Sequence, residues 1–159
     1  MRKTIVASIM ALALLSSIAL AANVNKDLAQ VRLVTARYHD VEAAMEDGYM
    51  QMSPCVESPD GAMGVHYMNM ARSMDGVINP LEPEGLLYIP QQDGLRLVGV
   101  EYFIPAFQAA QAPQLFGQTF DGPMPVHDPM MPVHYDLHVW AWQANPAGMF
   151  AHFNPNLAC

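Results

Sequence analysis

Between residues 134 and 142 the chain reads His134-Tyr135-Asp136-Leu137-His138-Val139-Trp140-Ala141-Trp142, with three ionisable side chains at alternate positions of a β-prone stretch. Successive side chains of a strand point to opposite faces, so Val133, Tyr135, Leu137, Val139 and Ala141 should line one face. His134, Asp136, His138, Trp140 and Trp142 should line the other. Imidazole and carboxylate on one face suit metal ligation or proton transfer.

Glu101 sits among Leu97, Val98, Gly99, Val100, Tyr102, Phe103 and Ile104, a run apolar on both faces. That pattern predicts a central strand with a buried carboxylate, and a buried carboxylate needs a partner. Arg72, Arg96, a tyrosine hydroxyl or a metal ion are the alternatives. His66, in Gly64-Val65-His66-Tyr67-Met68-Asn69, is a similar mid-strand polar residue. His66, Glu101, His134 and His138 together form a three-histidine, one-carboxylate set that suits a divalent transition metal, with zinc or copper foremost.

Strand geometry restricts that set. At about 3.3 Å per residue, His134 and His138 stand about 13 Å apart on a straight strand, too far to share an ion without a bend. His138 is therefore expected as the ligand, with His134 as fourth ligand or support and Asp136 orienting the imidazole. His127, in the proline-rich Asp121-Gly122-Pro123-Met124-Pro125-Val126-His127-Asp128-Pro129, lies in a rigid loop that could deliver it over the site as a lid ligand or acid–base group. For it and for His152 the rival reading is a surface or hydrogen-bonded histidine, since neither has a second ligand at a telling distance. Methionine is abundant, with 13 in the chain. Thioethers beside histidines suit copper, yet methionine is also a common packing residue, and these form no repeated cluster. Trp140 and Trp142 are expected to wall a pocket or pack under the N-terminal helix.

The elements that must hold these residues are legible. Leu28, Val31, Val34, Tyr38, Val41 and Met45 recur at helical period, with a break near His39-Asp40, Asp40 as N-cap of a second helix and Gly48 as its stop. Strands are expected at 65–69, 85–89, 95–103 and in the run from His134. Gln91-Gln92-Asp93-Gly94 reads as a hairpin turn. A short helix is expected within 69–75 or 107–111, and a long loop over 116–132. The sum is a single α+β domain: N-terminal helices packed on a mainly antiparallel sheet.

The chain opens with Met1-Arg2-Lys3, an apolar stretch to Leu20 and Ala19-Leu20-Ala21, the pattern of a secretory signal peptide cleaved after Ala21. Residues 22–159 then form the mature domain, periplasmic or secreted, with no stable membrane insertion after cleavage. Loss of Arg2 and Lys3 leaves Lys26, Arg32, Arg37, Arg72 and Arg96 against fifteen acidic residues. That balance speaks against nucleic acid, whose phosphates need Lys and Arg. Cys55 and Cys159, the two cysteines, are expected to pair in an oxidising compartment, ahead of free thiols or a thiolate metal pair. No phosphate loop, dinucleotide fingerprint or nucleophile elbow is present.

The strings Gly64-Val65-His66-Tyr67-Met68-Asn69, Val100-Glu101-Tyr102-Phe103, Leu115-Phe116-Gly117-Gln118, His134 to Trp142 and Asn145-Pro146-Ala147-Gly148-Met149-Phe150 resemble a family of small exported bacterial proteins of uncharacterised function. The resemblance spans most of the mature chain and implies a shared fold in which the polar strand residues matter. It implies no activity or cofactor. The residues themselves point to an exported metal-binding protein whose partner is a metal ion or small molecule. The alternatives are a small metalloenzyme with an open metal site, and a metal-free ligand-binding or structural module.

Overall fold

The computed structural model describes residues 23–125 and 131–159. The signal peptide expected at 1–21 and the lid residue His127 lie outside them. Helix α1 covers residues 23–35, and a 3-10 turn follows over Ala36–His39. Helix α2, Val41–Glu46, begins where Asp40 accepts a hydrogen bond from the Glu42 amide at 3.0 Å, as the N-cap reading requires. Gly48, at φ +89°, ends it.

Strands β1 (Tyr49–Gln51), β2 (Val56–Ser58), β3 (Gly61–Asn69), β4 (Gly85–Gln91), β5 (Gly94–Pro105), β8 (Asp121–Met124) and β9 (His134–Val139) form a 7-stranded sheet. Its order is β1-β3-β4-β5-β9-β8, with β2 also on β3, and its pairings are antiparallel. A separate small ribbon pairs β6 (Gln114–Leu115) with β7 (Gln118–Thr119). Helix α3, Met70–Ser73, is capped by Asn69, which accepts from the Arg72 amide. The fold class is thus α+β, as the periodicity implied.

The hairpin read at Gln91-Gln92-Asp93-Gly94 joins β4 to β5, with Gln92-Asp93 as its loop and Gln91 paired to Gly94, which opens β5 at φ +138°. Two details differ from the sequence reading. The stretch 116–132 is not all loop, since β8 pairs with β9 there. Its Asp-Gly-Pro-Met sequence hid it, because proline is tolerated only on an edge strand such as this one. Finally, Trp142 does not share the histidine face. The strand stops at Val139, the Ala141 amide donates back to Val139 O at 2.7 Å, and the alternation is broken. Trp142 then meets the helix side, donating to Thr35 Oγ1 at 3.1 Å and packing edge-on to His39.

The larger core lies between the helices and one face of the sheet, with Leu28 and Val31 of α1 against Tyr67, Leu86, Tyr88, Val100, Tyr102, Leu137 and Val139. The opposite face has two parts. Leu87, Ile89, Val98 and Trp140 form a small apolar cluster with Ala62, covered in part by Leu157 and Cys55. Beyond it lie the polar residues of β3, β5 and β9. Cys55 and Cys159 are bonded, with Cα atoms 5.6 Å apart. In the chain-entropy view a closed loop of this length contributes at most about 4–5 kcal/mol. The bond and the Ala62–Asn154 bridge fasten the C-terminal segment across this face.

Candidate metal centre

The polar face is assembled by strand register. Glu101 on β5 lies directly opposite His138 on β9, and on its other side opposite Gly85 on β4. His66, on β3, pairs with Leu87, so it reaches Glu101 only diagonally across β4. Gly85 makes that reach possible. A Cβ at residue 85 would lie 2.9 Å from Glu101 Oε2 and 2.7 Å from Met68 Sδ, so any larger residue would displace the carboxylate. His66, Glu101 and His138 each offer a ligand atom within 4.8 Å of the other two. His66 Nε2 is 3.4 Å from His138 Nε2 and 3.9 Å from Glu101 Oε2.

All three are deeply buried, with exposures of 8 %, 1 % and 2 % for His66, Glu101 and His138. Neither arginine considered as a partner for Glu101 is there. Arg72 donates to Tyr49 Oη at 2.6 Å and Arg96 to Gln143 Oε1 at 2.6 Å. Among the described residues Glu101 Oε2 and His138 Nδ1 have no hydrogen-bond partner. Burial, reinforced by the charges of Asp136 and Glu84, pushes the Glu101 carboxyl well above its usual range. Burial again, with His66, His152 and His134 around it, holds His138 well below 6.5. Without a cation the pair therefore favours a neutral acid and a neutral imidazole.

His66 is oriented by a residue that sequence reading passed over. Ser53 Oγ accepts from the His66 amide at 3.1 Å and lies 3.0 Å from His66 Nδ1, which turns Nε2 toward the other two side chains. A hydroxyl in that position can accept the Nδ1 proton, which leaves the Nε2 lone pair for an ion. No motif announces such a serine, because it lies in the loop before Cys55 and meets His66 only through the fold.

His134 is not part of the triad. Its ring stacks on Phe103 with centroids 4.6 Å apart, its Nδ1 lies 2.8 Å from Pro132 O and its Nε2 lies 3.9 Å from Asp136 Oδ2. Asp136 stands beside His138 and groups with it and His152, one ligand atom of each lying within 4.8 Å of the others. His152 is hydrogen-bonded as its reading held, its Nε2 lying 2.8 Å from Asp121 Oδ2, and the fold also stands it beside Asp136 and His138. It arrives from the C-terminal segment, at a separation in sequence that no spacing rule covers.

A cavity of about 330 Å³ opens over these groups. Met52, Met63, Met124 and Met131 line it, and an adjoining small pocket is lined by Met52, Met68, Met70 and Met131. Methionines scattered in sequence are therefore gathered around the histidines. Among the described residues no helix is long and apolar enough to cross a membrane. No protein-family profile matches the chain, and no curated protein or solved structure is significantly similar to it, so function must be read from this geometry.

Proposed function

We propose that the chain is an exported protein that binds a transition-metal ion through His66, Glu101 and His138. The observation that carries this reading is the convergence of two imidazoles and a carboxylate from three strands within 4.8 Å, with a buried Glu101 oxygen that has no hydrogen-bond partner among the described residues. Two nitrogens and one oxygen suit a borderline divalent ion such as zinc or copper. The thioethers of Met52, Met63, Met124 and Met131 around the cavity favour copper, since soft sulfur accommodates Cu(I). Export agrees with the leader-like N-terminal sequence and with the Cys55–Cys159 disulfide, a bond typical of oxidising compartments.

A small metalloenzyme is the second reading, favoured by one observation. Three protein ligands leave a coordination position open, and the cavity above them has the size of a small-molecule site. A bound ion would supply Lewis acidity there, and His134 and Asp136 line the same cavity as proton-handling groups. A metal-free hydrogen-bonded network is the third reading.

Elemental analysis after reconstitution of the disulfide-bonded protein with Cu, Zn, Fe and Mn separates them. At least one equivalent of copper or zinc is expected in the wild-type chain, and none at the triad in the His66→Ala/His138→Ala variant. Absence of any stoichiometric metal would sink both metal readings. Turnover of a substrate by the loaded protein would decide for the enzyme.

A further inference from the structure

Two triads of ligands share one histidine. The first is His66, Glu101 and His138; the second is Asp136, His138 and His152, with His138 and His152 ring centroids 5.3 Å apart. His66 and Glu101 fall outside the second group, and Asp136 and His152 outside the first, so the five side chains do not converge on one point. We propose that the site holds a pair of divalent transition-metal ions, the second ion bound by Asp136, His138 and His152, with the His138 imidazole bridging the two. The inference rests on the reading that the first triad binds an ion.

The imidazole has two ring nitrogens, and each directs one lone pair. His138 Nε2 lies 3.4 Å from His66 Nε2 and so belongs to the first triad. Its other nitrogen, Nδ1, must then serve the second ion. That atom is buried and has no hydrogen-bond partner among the described residues. A metal-ligating histidine normally gives its second nitrogen to a carbonyl or carboxylate; no described residue supplies such an acceptor to His138. Bridging requires the ring to give up its remaining N–H proton to solvent, and two dications balance the imidazolate and the carboxylates of Glu101 and Asp136.

His152 carries the signature of an oriented ligand. Its Nε2 is 2.8 Å from Asp121 Oδ2, the carboxylate–histidine pairing that leaves Nδ1 to bind a cation. Asp121 is held in place by β8, where it pairs with Asp136. The C-terminal segment carrying His152 is held by the Ala62–Asn154 bridge and the disulfide. Nitrogen and oxygen donors at this second position match borderline dications and do not match soft Cu(I).

The test is a Zn(II) titration of the metal-free, disulfide-bonded protein by calorimetry, with elemental analysis of the product. Two equivalents are expected in the wild type and one in either His152→Ala or His66→Ala. Asp121→Asn should weaken the second ion 10- to 100-fold and leave the first unchanged. His152 is part-exposed, and circular dichroism checks that its variant remains folded. One equivalent, lost in His66→Ala and indifferent to His152→Ala, would overturn the second ion while leaving the first. One equivalent with the reverse dependence would overturn the first reading and the bridge with it. With Cu(II) as probe, an imidazolate bridge couples the two spins, so the integrated resonance should fall below two spins per chain in the wild type. Two uncoupled spins would overturn the bridge.

Discussion

On the helix side of the sheet Tyr49, Tyr88 and Tyr102 are fully buried, and each phenol donates to a backbone carbonyl, of Pro83, Tyr38 and Pro80 respectively. On the opposite face Glu101 and His138 are buried as deeply, yet Glu101 Oε2 and His138 Nδ1 have no partner among the described residues. Burial pushes the three phenols above their ordinary range, which only keeps them protonated as neutral donors. The same burial leaves a carboxylate and an imidazole with unmet capacity, at about 1–3 kcal/mol for each unsatisfied group. One sheet therefore carries a face whose buried hydroxyls are paired and a face with buried polar atoms that no described residue pairs. Because both faces belong to the same strands, a substitution can be aimed at either with little change of backbone.

The sharpest test of that division is Leu86→Ala on the helix side. It should cost about 2–5 kcal/mol in denaturant unfolding with the disulfide intact, and leave the metal affinity of the folded chain unchanged. A loss below about 1 kcal/mol would place the stabilising core elsewhere.

Gly85→Ala lies one residue away and faces the site. Crowding Met68 and Glu101 should cost about 1–3 kcal/mol and, unlike Leu86→Ala, should abolish tight binding at the first triad. Competition with a chelator of known affinity reads this directly, and wild-type affinity in the alanine variant would remove Glu101 from the ligand set.

A matched pair of hydroxyl deletions comes next. Ser53→Ala should weaken metal binding 10- to 100-fold through His66, whereas Tyr88→Phe should lower stability by about 1 kcal/mol and not touch metal affinity. Equal effects on both properties in both variants would erase the distinction between the faces.

The last test reads a slope with pH. Glu84 is buried and accepts from the Phe103 amide at 3.1 Å, and burial pushes its pKa up from 4.5 to about 8. The folded chain holds this proton more tightly than the unfolded chain does. Its contribution to stability is thus fully present below about 4.5 and is lost as pH rises through about 8. Glu84→Gln should flatten that decline and match the wild type at acid pH; an unchanged slope in urea titrations from pH 5 to 9 would discount the carboxyl.

The legible parts of this fold were those with local signatures. Asp40 before Val41-Glu42-Ala43 marked a helix start, and the apolar run around Glu101 marked a central strand. The hidden parts depended on residues meeting across the chain. Ser53 lies 13 residues from His66, and His152 comes from a segment outside the helices and strands. Gly85 drew no notice in sequence, yet it clears the space through which Glu101 faces His66. The methionines formed no pattern along the chain because they come from separate loops and strands, and only the closed fold brings four of them to one cavity.

Strand alternation, a local property with a period of two residues, was enough to put His134, Asp136 and His138 on one face, with His134 and His138 too far apart to share an ion without a bend. Which groups meet His138 was decided by tertiary structure. The antiparallel register of β5 on β9 sets Glu101 opposite it, the width of β4 with its glycine admits His66, and the fastened C-terminal segment delivers His152. Register and segment docking are settled by burial summed over the whole sheet, and no short stretch of sequence contains that sum.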